Sequence, residues 1–284
     1  MRRIGILGVG FDPVDLDGAV ARVVQLVEGG VPSLAITANT EMVMTARHAP
    51  DLANLLAGAA LVVADGVGVV WASRYLHRPL PARVPGIELA ERLLAEASRR
   101  RWRVYLLGGR RGTAELAAAR LGATYLGLEI AGFADGYFSA ADEPRVVETI
   151  RRAAPALLLA GLGTPRQERW LARHLAALGV PAAMGIGGSL DVWAGRAHRA
   201  PRAMQTLGLE WLYRLAREPR RLRRQLAIPH FMGVIMVTRA RDARRARRAP
   251  TPGGPGERPE VLPADSPPAT MSSKRETGQE LPPR

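Results

Sequence analysis

The feature that most constrains how this 284-residue chain folds is an alternation that runs from its start to about residue 194. Short β-rich runs take turns with amphipathic segments of helical period. The spacing predicts strands over 4–9, 34–38, 61–64, 103–107, 126–131, 156–160 and 182–186. Between them it predicts helices over 16–27, 40–56, 87–98, 113–121, 143–153 and 165–178. Strand and helix in turn imply an α/β fold, a Rossmann-like, mostly parallel sheet with helices on both faces. With 47% hydrophobic residues the chain has apolar material for a core of that size.

In such a sheet ligands bind beyond the carboxyl ends of the strands, and this sorts the polar residues. Thr37 and Asn39 follow one predicted strand, Asp65 the next, Gly108 and Gly109 a third, the run from Gly161 to Gln167 a fourth, and the run from Gly187 to Asp191 a fifth. All five open on one rim, which is the layout of a site. ALVVADGVGVVW (60–71) poses the sharpest question, because an apolar strand delivers a single carboxylate onto a glycine-flanked turn. Asp65 is either a cap for the helix that follows or a general base whose proton affinity burial raises.

The remaining motifs are read against plainer alternatives. GVGFDP lacks the third glycine of a dinucleotide fingerprint and reads as a tight strand-to-helix turn. Asp15 and Asp17 of DLD stand where acids cap a helix and complement its dipole, against a metal-binding reading. GGSLD has Asp191 where a serine-hydrolase elbow needs its last glycine. LLGGRRGTAE is either an ordinary capped turn or a phosphate site built from backbone N–H groups. In GLGTPRQERW, Pro165 opens a helix with Arg166 and Gln167 at its mouth; Arg166 either matches a diphosphate bidentately or is solvated.

No cysteine is present, so disulfides and thiolate chemistry are excluded, and the five histidines never fall at a paired ligand spacing. No metal and no cofactor is therefore expected. No run of about 18 apolar residues occurs, and the N-terminus is poor material for a signal peptide, so the chain reads as cytoplasmic. Of the net charge of +14, the stretch 196–248 carries fifteen arginines against Glu210, Glu218 and Asp242. That concentration calls for an anionic partner, nucleic acid or a membrane surface. Helices are predicted over 203–218 and 219–227, the second stopped by Pro229. The organisation expected is a catalytic core over 1–195, an arginine-rich helical appendage over 196–240 and a disordered tail over 241–284.

Taken together, TANTEMVMTARHAPDLANLLAGAALVVADGVGVV, RVPGIEL, YLLGG, GLGTPRQERW, GIGGSLDVWAG and GLEWLYRLAREPRRLRRQL resemble the WecG/TagA/CpsF glycosyltransferases over roughly residues 4–236. The resemblance implies a metal-independent, inverting transferase. It moves N-acetylmannosamine, or a related sugar, from a UDP-sugar to undecaprenyl-diphosphate-linked N-acetylglucosamine, in polysaccharide or teichoic acid synthesis. It makes Asp65 the base, with Thr37 and Asn39 in the pocket, and carries substrate binding onto Arg83, Gln167 and Asp191. Arg214, Arg221 and Arg224 would fold over the nucleotide diphosphate. The same arginines suit an enzyme peripheral to the inner face of the plasma membrane, at about 1 kcal/mol for each cation near an anionic leaflet. A homo-oligomer is compatible with the sequence. The rivals are a relative using UDP-glucose, UDP-glucuronate or UDP-N-acetylmannosaminuronate, and a non-catalytic nucleic-acid binder. No specific nucleic acid is expected, since aromatics make up only 5% of residues and supply few stacking platforms among the cations.

Overall fold

The computed structural model describes residues 2–206, 210–217 and 227–248. A six-stranded parallel sheet forms its centre, in the order β4 (Leu61–Ala64), β3 (Ser33–Ala38), β8 (Ala182–Gly185), β7 (Leu157–Gly161), β5 (Arg103–Gly108) and β6 (Glu129–Ala134). Period-2 alternation sends Leu34, Ile36, Val62, Tyr105 and Leu158 to one face and Ala35, Leu61, Val63, Val104 and Leu157 to the other. The second face is covered by α1 (Leu16–Gly29), α5 (Gly86–Arg100), α6 (Thr113–Thr124) and α9 (Ser189–Trp193). The first face lies under α2 (Thr40–Ala46), α3 (Pro50–Gly58), α4 (Val67–Tyr75), α7 (Glu143–Ala153), α8 (Arg166–Leu178) and α12 (Ala227–Arg248). Helices on both faces explain why the central strands are apolar throughout.

The first predicted strand does not join this sheet. Residues 4–11 instead form an antiparallel hairpin of β1 (Ile4–Ile6) and β2 (Val9–Phe11). Leu7 and Gly8, at φ 48° and 89°, give the two positive-φ positions that a tight hairpin turn demands. GVGFDP thus runs from the hairpin turn at Gly8 through β2, and only its Asp12-Pro13 end belongs to the strand-to-helix connection into α1. Asp12 then protects the exposed edge of β4, accepting from the Val62 N–H at 2.7 Å while its own N–H donates to the Val62 carbonyl at 2.8 Å.

Three further boundaries differ from the sequence expectation, each for a local reason. The helix predicted over 40–56 is two helices, because Pro50 pushes Ala49 out of helical geometry and opens α3 at its first position. The strand predicted over 126–131 lies three residues later, as β6, since Gly127 at φ 89° bends the chain between α6 and the sheet. Pro229 lies within a helix where it was expected to end one: it falls in the first turn of α12, where a missing N–H costs nothing. The helix predicted over 203–218 is seen as α10 (Arg202–Thr206) and α11 (Glu210–Arg217). The segment 219–226 and the tail beyond residue 248 lie outside the described residues.

The apolar stretch HFMGVIMV therefore belongs to the interior of α12, which runs across residue 240. Phe231 and Ile235, one turn apart, are fully buried against α2 and α4, and Arg239 continues the same row with its guanidinium 4.3 Å from the Tyr75 ring. Burial of two such side chains contributes roughly 3–6 kcal/mol, enough to hold one helix on the core. Truncating Phe231 to Ala should cost about 3 kcal/mol of that docking. Amide exchange in α12 should then rise about a hundredfold while exchange in β3, β7 and β8 is unchanged. Unaltered protection of α12 would show that this contact does not anchor it.

Candidate functional site

A cleft of about 450 Å³ opens beyond the carboxyl ends of β3, β4, β5, β7 and β8. Glycine makes the convergence of strand ends physically possible. Gly108, at φ 137°, pairs with Gly161, and a Cβ on it would lie 2.4 Å from the Gly161 carbonyl oxygen. A Cβ on Gly161 would in turn meet the Gly187 carbonyl at 2.7 Å. The same device joins two distant segments: Gly66 backs onto Asn39, and Gly68 leaves room for the Thr40 methyl group, 2.7 Å from where its Cβ would be.

Asp65 lines the cleft, partly buried, at the tip of β4. It does cap a helix, but not the one that follows it. The start of α4 has no side-chain cap, whereas Asp65 Oδ1 accepts from the Gly86 N–H at 3.1 Å, at the first residue of α5. Thr37 reaches the same point, because a Cβ on Gly86 would stand 2.8 Å from its Oγ1. Carboxylate and hydroxyl thus face one helix start, 21 and 49 residues from it in sequence. Asn39 also lines the cleft, and its side chain caps α2 by accepting from the Met42 N–H at 3.0 Å.

On the opposite wall, Gln167 ties two strand ends together. Its Oε1 accepts from the Gly187 N–H at 3.0 Å and its Nε2 donates to Glu168 Oε1 at 2.7 Å, with Gly185 bare beneath it. Gln167 is 3% exposed, so it holds the Gly187–Ser189 turn as well as lining the cleft. Arg166 lines the cleft with its guanidinium 5.4 Å from the Phe138 ring, and Asp191 reaches the cleft from α9. Gly109 is at the wall and Gly108 packs one residue behind it. The N-terminus of α6, the other half of the LLGG reading, is occupied from within the chain, since Asp135 accepts from the Gly112 N–H at 3.0 Å.

Arg83 does not line the cleft itself. It pairs with Glu88 and Glu210, at 4.0 and 3.9 Å, and Glu210 is the residue at the wall. Arg221 and Arg224 lie outside the described residues, as does the side chain of Arg214, whose backbone belongs to α11. Asp15 and Asp17 are away from the site: Asp15 caps α1 and Asp17 pairs with Arg92 at 2.6 Å.

Several wall residues escaped the sequence reading. Gly136 and Tyr137 come from the loop after β6, which the three-residue error in that strand's placement concealed. Glu41 and Arg110 stand two positions beyond Asn39 and one beyond Gly109, close enough to be found by extending each strand-end segment. Glu210 has no such signal, because only tertiary packing brings α11 to the rim.

Beneath the wall, Glu168 is 3% exposed, and its Oε2 has no hydrogen-bond partner among the described residues. Burial raises its pKa above the ordinary glutamate range, against the opposing bonds from Gln167 and Thr164. The folded protein therefore binds this proton more tightly than the unfolded chain. Stability is penalised as pH rises from the unfolded value through the raised one. Glu168→Gln keeps the acceptor for Gln167 and removes the titration. Its stability relative to wild type should improve between pH 4.5 and pH 8 in denaturant titrations; an equal difference at both pH values would place an ionised carboxylate at this position.

The chain matches the Glycosyl transferase WecG/TagA/CpsF family over residues 4–245. Among similar proteins is an N-acetylglucosaminyldiphosphoundecaprenol N-acetyl-beta-D-mannosaminyltransferase of Staphylococcus aureus, 34% identical across 87% of this chain and 96% of that protein. A Bacillus spizizenii protein of the same name is 33% identical over 71% of this chain and 77% of its own length. A parallel α/β sheet with a polar cleft across its strand ends is the framework in which such folds bind their ligands. The chain belongs to the WecG/TagA/CpsF glycosyltransferase family, which removes the reading as a non-catalytic nucleic-acid binder.

Proposed function

We propose that this protein transfers N-acetylmannosamine from UDP-N-acetylmannosamine to undecaprenyl-diphosphate-linked N-acetylglucosamine, with inversion at the anomeric carbon. The observation that carries the reading is Asp65, held at the lip of the cleft by the Gly86 N–H beside the Thr37 hydroxyl. Its support is the acceptor and sugar that the names of both similar proteins specify.

The chemistry follows from that placement. Asp65 takes the proton of the acceptor hydroxyl, whose oxygen forms the new bond to the anomeric carbon as the bond to the UDP oxygen breaks. Inversion needs only this one base on the face opposite the leaving group. The electron pair leaves on the nucleotide diphosphate, where Arg166 and Arg110 at the wall and the C-terminal arginines Arg214, Arg221 and Arg224 neutralise it. Gln167 holds the turn from Gly187 to Ser189 against the donor, and Asp191 and Asn39 bind sugar hydroxyls.

The acceptor is a lipid, and the described C-terminal helices present a surface suited to reaching it. No described helix is long and apolar enough to cross a membrane. Met236 and Val237 on α12 and Trp211 and Leu212 on α11 are exposed, and Arg217, Arg241 and Arg244 of the same two helices face solvent. Apolar side chains rimmed by cations lie in the plane of an anionic bilayer surface. The protein thereby works at the inner face of the plasma membrane.

Two experiments test this. The first incubates the protein with UDP-N-acetylmannosamine, UDP-glucose, UDP-glucuronate and UDP-N-acetylmannosaminuronate together with a lipid-diphosphate N-acetylglucosamine, and identifies the product linkage by mass spectrometry and NMR. Asp65→Asn should lower kcat about 10²- to 10⁴-fold with UDP binding retained, the range of a lost general base. Near-normal turnover would remove Asp65 from that role. The second pairs Met236→Asp with Val237→Asp and measures sedimentation with phosphatidylglycerol vesicles. Binding should fall by about tenfold or more, since each lost side chain removes on the order of 1–2 kcal/mol of burial; unchanged binding would refute the docking face.

A further inference from the structure

Two guanidinium groups near the cleft converge on one carboxylate that reaches its wall. Arg199, which precedes α10, pairs with Glu88 at 2.5 Å and Glu91 at 4.0 Å, and its Nε lies 3.8 Å from Glu210 Oε1. Arg83 reaches the same two residues, Glu88 at 4.0 Å and Glu210 at 3.9 Å. Both arginine side chains are only 20% exposed. Glu88 belongs to α5, one of the helices that cover the sheet. Glu210 opens α11, a separate segment, and it contributes to the cleft wall while the two arginines do not.

We propose that Arg199 and Arg83 form a diphosphate-binding pair, and that Glu210 is the internal anion holding this pair until a substrate diphosphate takes its place. Resting on the donor and acceptor reading above, the assignment adds Arg199 and Glu210 to it.

Geometry and charge both point this way. Glu210 has the right sign for the two guanidiniums but engages them at ion-pair distance only, and Arg199 Nε is buried without a hydrogen bond. A diphosphate, with several anionic oxygens, matches two guanidinium forks better than one carboxylate does. Glu210 lines the cleft and the two guanidiniums lie behind it, so moving Glu210 out uncovers Arg83 and Arg199 and frees the first residue of α11.

Calorimetric titration of the full-length protein with UDP, with a short-chain prenyl-diphosphate N-acetylglucosamine and with uridine tests the assignment. Glu210→Gln should bind the diphosphate that uses this pair about tenfold more tightly, equivalent to about 1.4 kcal/mol. Arg199→Ala should bind it about tenfold more weakly, Arg199→Lys should recover only part of the loss, and uridine affinity should be the same in all. A response confined to UDP assigns the pair to the donor, and one confined to the lipid diphosphate assigns it to the acceptor; either supports the proposal. Amide exchange in 210–217 should rise when the diphosphate binds wild type and should already be high in unliganded Glu210→Gln. Wild-type binding together with a Glu210→Gln protein of equal or weaker affinity, and no ligand effect on exchange in α11, overturns the exchange of anions alone. Failure of wild type to bind either diphosphate overturns the donor and acceptor reading and this assignment with it.

Discussion

The hydrogen bond from the Gly86 N–H to Asp65 is the contact on which the site depends. It joins the tip of β4, an edge strand, to the start of α5, a helix on the far side of the sheet from α4. A helix start leaves N–H groups without intrahelical partners, and a carboxylate placed there satisfies one of them while its own orientation is fixed. The absence of a side chain at Gly86 lets the Thr37 hydroxyl share the position. One bond therefore caps a helix, aims a candidate base and gathers two strand ends. A capping role and a catalytic role need not compete for Asp65, because a carboxylate has two oxygens and the cap is made through Oδ1.

Electrostatics gives the rest of the cleft its character. Among the described residues its wall holds Glu41, Asp65, Asp191 and Glu210 together with Arg110 and Arg166. Buried or half-buried charges are costly unless paired, so arginines needed for a polyanionic ligand require carboxylate partners when none is bound. Glu88, Glu91 and Glu210 are such partners for Arg83 and Arg199. Glu168 is the contrasting case, a carboxyl kept dry under the wall whose Oε2 has no hydrogen-bond partner among the described residues, and burial raises its pKa.

The C-terminal helix α12 packs on the core through one of its faces. Phe231, Ile235 and Arg239 form one row that fixes α12 to α2 and α4, the helices that follow the strands bearing Asn39 and Asp65. Exposed apolar residues and solvent-facing arginines occupy other faces of the same helix. Docking of the appendage and presentation of its outer surface are thereby two faces of one amphipathic pattern.

Much of this was legible in the residues. Alternating periods defined the parallel sheet, and the strand-end rule gathered Thr37, Asn39, Asp65, Gly109, Gln167 and Asp191 at one rim, because glycines and polar residues at strand ends are a local signal. The hairpin at 4–11 was misread as a sheet strand because a three-residue apolar run carries no information about its partner. The late start of β6 hid Gly136 and Tyr137, since a positive φ at Gly127 shifts a boundary that hydrophobicity alone does not mark. The sequence by itself determined the layers, the rim and the carboxylate at its lip, all of which follow from short-range patterning. Only the tertiary structure decided which helix Asp65 caps, that Pro229 lies within the first turn of α12, and that Glu210 stands between the cleft and two arginines. Those outcomes depend on contacts between segments tens to more than a hundred residues apart, where loop geometry and packing, rather than local preference, choose the partner.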